Sequence, residues 1–136
     1  MATLHEQSYP ASTEVLGAVR AAVREACRQA GCGDECGEQV VLAVNEACMN
    51  IIQHGYRFAA GEQFMLRLSA DDGMLTACLL DHGAAVSEAD LRPRELDELR
   101  PGGLGVRFIR AMMDEVGFLP APNGFTNCLQ LRKRIC

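Results

Sequence analysis

Glu46, Asn50 and His54 fall four residues apart in the stretch VVLAVNEACMNIIQHGY, which runs from Val40 to Tyr56. Four is the spacing that stacks side chains in a column along one face of a helix. A carboxylate placed this way can take a proton from an attacking hydroxyl or water. A carboxamide oxygen one turn later is a hard ligand suited to Mg²⁺, which takes few protein oxygens and completes its shell with waters and phosphate oxygens. A general base and a metal ligand are what phosphoryl transfer needs beyond positioning. The rival reading is a solvated polar stripe. Such a stripe ordinarily carries Lys and Arg as well, and this one has neither before Arg57. The column alone leaves both readings open.

Two further motifs bear on the choice. In Pro101-Gly102-Gly103-Leu104-Gly105 the glycines let backbone N–H groups approach an anion, and the helix expected behind them would point its positive end the same way. A plain hinge is the alternative. Asp81-His82-Gly83 places a carboxylate at the tip of an apolar strand, where it can accept from an exocyclic amine such as that of adenine, with Gly83 leaving room for a flat ring. Asp-x-Gly is also ordinary turn chemistry. Lys133 is the single lysine, so no GxxxxGK[ST] phosphate loop exists and any nucleotide must be held by another architecture.

The elements that must position these residues follow from periodicity. Val40, Val41, Val44, Ala47, Cys48, Ile51 and Ile52 form the apolar face of the helix that carries the column, with Asp34 as its expected cap and Gly55 near its end. An earlier helix, capped by Ser12 or Thr13, buries Val15, Leu16, Val19, Val23, Ala26, Cys27 and Ala30 and stops at Gly31 and Gly33. Arg20, Arg24 and Arg28 lie on its outer side and read as a solvated face. Strands are predicted at Leu4–Pro10, Gln63–Ala70, Met74–Leu80, Val116–Pro120 and Phe125–Ile135, the last with Leu129 and Leu131 facing in. Asp71-Asp72-Gly73 makes the second and third a hairpin, and the more apolar third strand belongs at the centre of the sheet. An amphipathic helix carrying Val106, Ile109, Met112, Met113 and Val116 follows the glycines. The polar segment 84–100, with a short helix around Glu95–Leu99, reads as a lid or as disorder.

A chain of 136 residues with 49% hydrophobic and 23% charged residues is expected to form one globular domain, 1–136. A net charge of −5 argues against general binding to nucleic acid or to anionic membranes. Met1–Pro10 lacks the apolar run of a signal peptide and no stretch is apolar enough to cross a bilayer, so a cytoplasmic location is expected. The seven cysteines contain no CxxC pair and are expected to be free, mostly buried thiols. A zinc site from Cys27, Cys32 and Cys36 would need a fourth ligand and tighter spacing.

In their order along the chain, the motifs resemble the gyrase/histidine-kinase-like (GHKL) ATPase superfamily. NEACMN with IIQHGY is similar to its N box, DHG to its first glycine box and GGLGVRFI to its second. The subgroup most resembled is that of the small bacterial anti-sigma-factor serine kinases of partner-switching systems, through NEACMN…HGY, the short lid and GGLGVRFIRAMMDEVGF. The resemblance implies a two-layer α/β sandwich of the GHKL (Bergerat) type, its mixed, mostly antiparallel sheet covered on one face by three main helices. It implies ATP and Mg²⁺, with Glu46 as catalytic base, Asn50 as Mg²⁺ ligand, Asp81 on the adenine amine with Gly83 beside it, and Gly103, Leu104 and Gly105 around the phosphates under a lid at about 84–101. Thr126 would support the adenine, and His54, which agrees with the subgroup, would stand among the cofactor-binding residues, with capping or packing at the helix end as the alternative to phosphate contact. Arg92, Arg94, Arg100 and Arg107 are phosphate-contact candidates on charge and location alone. Ala84-Ala85-Val86 departs from the turn and proline that usually follow the first glycine box.

The function so implied is an ATP-dependent protein serine/threonine kinase acting as an anti-sigma factor. Its partners would be a sigma factor and a small STAS-type anti-anti-sigma protein, and its assembly a homodimer. A regulator that binds ATP but captures its partner stoichiometrically is the alternative, since the same boxes serve both. A redox or metal module built on the cysteines is a third reading.

Overall fold

The computed structural model describes residues 2–83 and 101–135. β1 (Ala2–Pro10) leads through a 3₁₀ turn at Thr13–Val15 into α1 (Leu16–Ala30) and then α2 (Asp34–Asn50), which ends in a π-helical turn at Ile51–Gly55. β2 (Gln63–Asp71), β3 (Met74–Asp81), α3 (Pro101–Met112), β4 (Glu115–Leu119) and β5 (Asn127–Arg134) complete the chain.

The five strands lie in the order β1-β2-β3-β5-β4, with β3 central as its apolar content requires. Asp72 and Gly73 both take positive φ, 55° and 76°, which is the two-residue geometry matching the twist of a hairpin and sets the β2–β3 register. All four strand pairings are antiparallel, not mixed as expected. β3 and β4 do run in the same direction, but β5 inserts between them, so no parallel ladder forms. Alternation along β2 turns Phe64, Leu66 and Leu68 inward, each essentially inaccessible to water. They join Val19 and Val23 of α1, Val40, Val41 and Val44 of α2, and Ile109 and Met113 at the far end of α3 in one core between helices and sheet.

Local chemistry explains the helix ends. Ser12 Oγ accepts from the Glu14 N–H ahead of the 3₁₀ turn, so Ser12 rather than Thr13 is the cap. At the C-terminus of α1, Gly31 takes φ 84° while its N–H reaches Arg28 O (3.2 Å) and the Cys32 N–H reaches Cys27 O (2.9 Å), a Schellman arrangement. Gly33, not Asp34, is the N-cap of α2. Asp34 and Glu35 stand inside the first turn, where their charge meets the positive end of the helix. The arginine row is not a bare solvated face. Arg20 donates to Asn45 Oδ1 (2.9 Å) and Arg24 makes a two-pronged contact with Glu38 (3.0 and 3.2 Å), so both tie α1 to α2, while Arg28 turns back to Glu25.

α3 starts at Pro101, earlier than the helix expected behind the glycines, which therefore occupy its first turn. Proline suits that position because the first N–H groups of a helix have no intrahelical partner. The lid segment 84–100, with Ala84-Ala85-Val86, Arg92, Arg94, Arg100 and the short helix at Glu95–Leu99, lies outside the described residues. Cys27, Cys32, Cys36, Cys48, Cys78 and Cys128 are free thiols. Among the described residues no group of three or more His, Cys, Asp or Glu is arranged to hold a metal ion.

α2 and β3 run side by side in the same direction. At their starts, the Cys36 thiol of α2 lies 3.5 Å from Arg134 O, and Arg134 pairs with Met74 at the head of β3. At their ends, Tyr56 beyond α2 meets His82 beyond β3. This alignment gathers the chemistry-bearing residues.

Candidate nucleotide site

Glu46 and Asn50 are half-buried on the last turns of α2. Their side chains make no hydrogen bond among the described residues, which leaves both available to a ligand. The neighbouring carboxamide of Asn45 is occupied by Arg20, so the two asparagines of NEACMN have divided duties. Beyond Asn50 the winding changes. The Tyr56 N–H reaches Ile51 O (2.8 Å), an i to i+5 bond, and the turn is π-helical. His54 lies on this π turn, past the α-helical part of the column, and is exposed.

The π turn ends against β3. A Cβ added to Gly83 would sit 3.0 Å from Gly55 O and 3.1 Å from Asp81 Oδ1, tighter than ordinary van der Waals contact. Glycine suits position 83 because the helix end and the strand end touch there through their backbones. Tyr56, 7% exposed, rivets the same junction. Its hydroxyl donates to Gln63 O (2.7 Å) at the start of β2 and accepts from the His82 N–H (2.7 Å) just past β3. Burial pushes the Tyr56 hydroxyl above its usual pKa, which keeps the donating proton in place.

Asp81 is the best-buried carboxylate of the site, 5% exposed. Its Oδ1 accepts from the Gly83 N–H (2.8 Å) and from Asn127 Nδ2 (3.0 Å), and its carbonyl accepts from the Thr126 N–H (2.8 Å). Thr126 is thus bound to Asp81 through its backbone, with an exposed side chain. His82 stacks on Phe125, ring centroids 4.8 Å apart and planes 15° from parallel, which joins the 81–83 turn to the approach to β5. Gly103, Leu104 and Gly105 lie in the first turn of α3. α3 packs against α2, and Arg107 on it is half-buried and engaged in an interaction of its own.

The structure therefore joins Asp81, Gly83 and Thr126 in one cluster that meets the end of α2 at Gly55 and Tyr56, with Glu46 and Asn50 further back along the same helix and His54 exposed. Sequence reasoning missed Tyr56 and Asn127. A signal for Asn127 was available: it lies two and four residues before the inward-facing Leu129 and Leu131, so alternation turns it inward too. A buried carboxamide at a strand start needs a partner, and across the ladder stands Asp81.

The donor set fits a purine nucleotide with a divalent cation: a recessed carboxylate with one oxygen uncommitted, and an open carboxamide near an open carboxylate. A two-layer α/β sandwich with a polar site at the ends of a helix and a central strand is the architecture of the histidine-kinase-like ATPases. The chain matches the family description "Histidine kinase-like ATPase domain" over residues 9–133 and belongs to that family. Within it the chain falls with the RsbW group. The serine-protein kinase RsbW of Bacillus pumilus is 31% identical over 123 residues, covering 83% of this chain and 76% of the relative. RsbW of Bacillus subtilis is 29% identical over 119 residues, covering 82% and 74%. The solved structure of the RsbU and RsbW domains of a Mycobacterium tuberculosis protein shares the fold, with a TM-score of 0.66 at 19% identity over 96% of this chain. The present chain spans only 32% of that longer one. The Acinetobacter baumannii histidine kinase AdeS shares it more distantly, with a TM-score of 0.50, 13% identity, and coverage of 97% of this chain and 68% of that one.

Proposed function

We propose that this chain is an ATP-dependent protein serine/threonine kinase that works as an anti-sigma factor, its phosphate acceptor a serine or threonine of a small STAS-type anti-anti-sigma protein. The observation that supports the reading is the meeting of the end of α2 with the end of β3, through Tyr56 with His82 and Gly55 with Gly83, since α2 also carries Glu46 and Asn50 and β3 ends in the recessed carboxylate of Asp81. Identity of 31% to a serine-protein kinase supports the same reading.

Each residue then has a task. Asp81 accepts a hydrogen bond from the adenine amine, and Gly83 beside it lets the turn that carries this carboxylate close against the end of α2. Thr126, bonded to the Asp81 carbonyl, supports that corner. Gly103, Leu104 and Gly105 meet the phosphates through the backbone at the start of α3, where N–H groups are free and the dipole favours an anion. Asn50 would hold Mg²⁺, whose contribution when bound is to neutralise charge on the phosphate oxygens. Glu46, one turn away, takes the proton of the partner's hydroxyl as it attacks. His54, exposed on the π turn, would serve at the rim rather than in the base–metal pair. The working assembly is a cytoplasmic homodimer, and among the described residues no helix is long and apolar enough to cross a membrane.

The test is phosphate transfer from ATP with Mg²⁺ to the purified anti-anti-sigma partner. Glu46→Ala should slow transfer by roughly 10²–10⁴-fold, the usual worth of a general base, while ATP affinity stays near wild type. Transfer at the wild-type rate would remove Glu46 from its role. ATP binding without any transfer by the wild type would leave stoichiometric capture as the function.

A further inference from the structure

Asn127 opens β5 directly opposite Asp81 in the ladder and is 5% exposed. Its Nδ2 lies 3.0 Å from Asp81 Oδ1, the same oxygen that takes the Gly83 N–H at 2.8 Å. An ionised carboxylate is acceptor-only, and here one of its two oxygens is filled by two protein donors. No described residue bonds Oδ2. The terminal torsion of an aspartate is broad and roughly two-fold, so a lone Asp81 could present either oxygen, tilted over a wide range. The Gly83 N–H comes from two residues further along the same turn and moves with it. Asn127 reaches across from the adjoining strand and refers the carboxylate plane to the sheet.

We propose that Asn127 is the positioning residue that gives the site its preference for a base bearing an exocyclic amine. By holding Oδ1 it directs Oδ2 outward as an acceptor of fixed orientation, which an adenine amine satisfies and a carbonyl at the same ring position, as in guanine, opposes. A purine with hydrogen at that position leaves Oδ2 unbonded. The proposal rests on the nucleotide reading of the site, and the following experiment separates the two. A merely structural Asn127, present only to satisfy a buried carboxylate, would influence the binding of every purine nucleotide alike. A positioning Asn127 acts only on ligands that carry the amine.

The full-length protein is titrated by calorimetry with ATP, with the triphosphate of purine riboside (which lacks the 6-amine) and with GTP. Wild type, Asn127→Leu and Asn127→Ser are compared, each checked for cooperative unfolding in urea. The serine variant stands in if the leucine variant does not fold. A hydrogen bond to a charged group is worth roughly tenfold or more in affinity, so wild type should bind ATP at least that much tighter than the deaminated analogue. The Asn127 variants should reduce this advantage to about threefold or less, with the affinity for the analogue nearly unchanged and the discrimination against GTP reduced. A parallel loss for ATP and analogue, or full ATP preference in both variants, overturns the role of Asn127. Wild type that binds ATP and analogue equally overturns the base contact of Asp81 and the proposal with it. Wild type that binds neither overturns the nucleotide reading itself.

Discussion

The first turns of α2 are regular, bury Cys36 and Val40, and reach β5 through the Cys36 thiol at Arg134 O. The last turns keep Glu46 and Asn50 half-exposed, then widen into the π turn and two left-handed residues, Arg57 at φ 50° and Phe58 at φ 59°. Non-glycine residues rarely take positive φ, and they persist only where surrounding contacts hold them. Here the contacts are the Tyr56 hydroxyl and the backbone meeting of Gly55 with Gly83. One helix therefore has a plain structural end and an irregular end where polar groups converge. At this irregular end the helix meets the strand end through Tyr56 with His82 and Gly55 with Gly83.

That contrast can be broken most forcefully at the structural end. Leu75, 1% exposed near the head of β3, is remote from the Asp81 tip. Leu75→Ala should cost about 2–5 kcal/mol in urea unfolding and leave ATP affinity within about twofold of wild type once folded protein is counted. A large affinity loss would mean that the two ends are not separate. Tyr56→Phe should cost less, about 0.5–1.5 kcal/mol for each hydrogen bond lost, because it removes the part-buried bonds to the Gln63 carbonyl and the His82 N–H. It should nonetheless weaken ATP binding, since it frees the Asp81–Gly83 turn; unchanged affinity would confine Tyr56 to stability.

Thiol labelling of the native protein sharpens the comparison without a mutation. Burial pushes the Cys27 thiol up to about 12 and the fully buried Cys48 thiol above its ordinary range. Both should react only on unfolding, because the thiolate is the reactive form. Cys32 is half-buried and should label first of the three, and mass mapping that finds Cys48 modified as early would show that the middle of α2 opens readily. The smallest effect belongs to the exposed α1–α2 tie. The hydrogen bond and charge of Arg24 hold the Glu38 carboxyl below its usual value. A depressed carboxylate stabilises the fold above its unfolded pKa, and that contribution fades as pH falls through the folded one. Arg24→Ala should therefore make the urea midpoint slightly less acid-sensitive below about pH 4.5. The difference should disappear in high salt, and a difference that survives salt would point to a tie stronger than a surface pair.

Much of this was legible beforehand. The alternation of Phe64, Leu66 and Leu68, the hairpin at Asp72-Gly73 and the centrality of β3 all followed from pattern, because burial of one strand face imposes period two. The cap of α2 was misplaced by one residue, since Asp34 serves equally well as a cap or as a first-turn charge and only the backbone dihedrals decide. The π turn at Ile51–Gly55 was not foreseen, since nothing in IIQHG announces it. Asn127 was passed over because its partner lies 46 residues away in sequence.

The sequence by itself determined which residues face the core, where the chain turns, and the order of motifs that marks a histidine-kinase-like ATPase. These depend on side-chain polarity and on local backbone preference, which each short stretch carries within itself. Only the tertiary structure decided that α2 and β3 run together and meet at Gly55 and Gly83, that Tyr56 closes their junction, and that Asn127, from outside the boxes, joins Gly83 in holding the Asp81 carboxylate. Those contacts depend on register and on the exclusion of water between distant segments, and no local pattern encodes either.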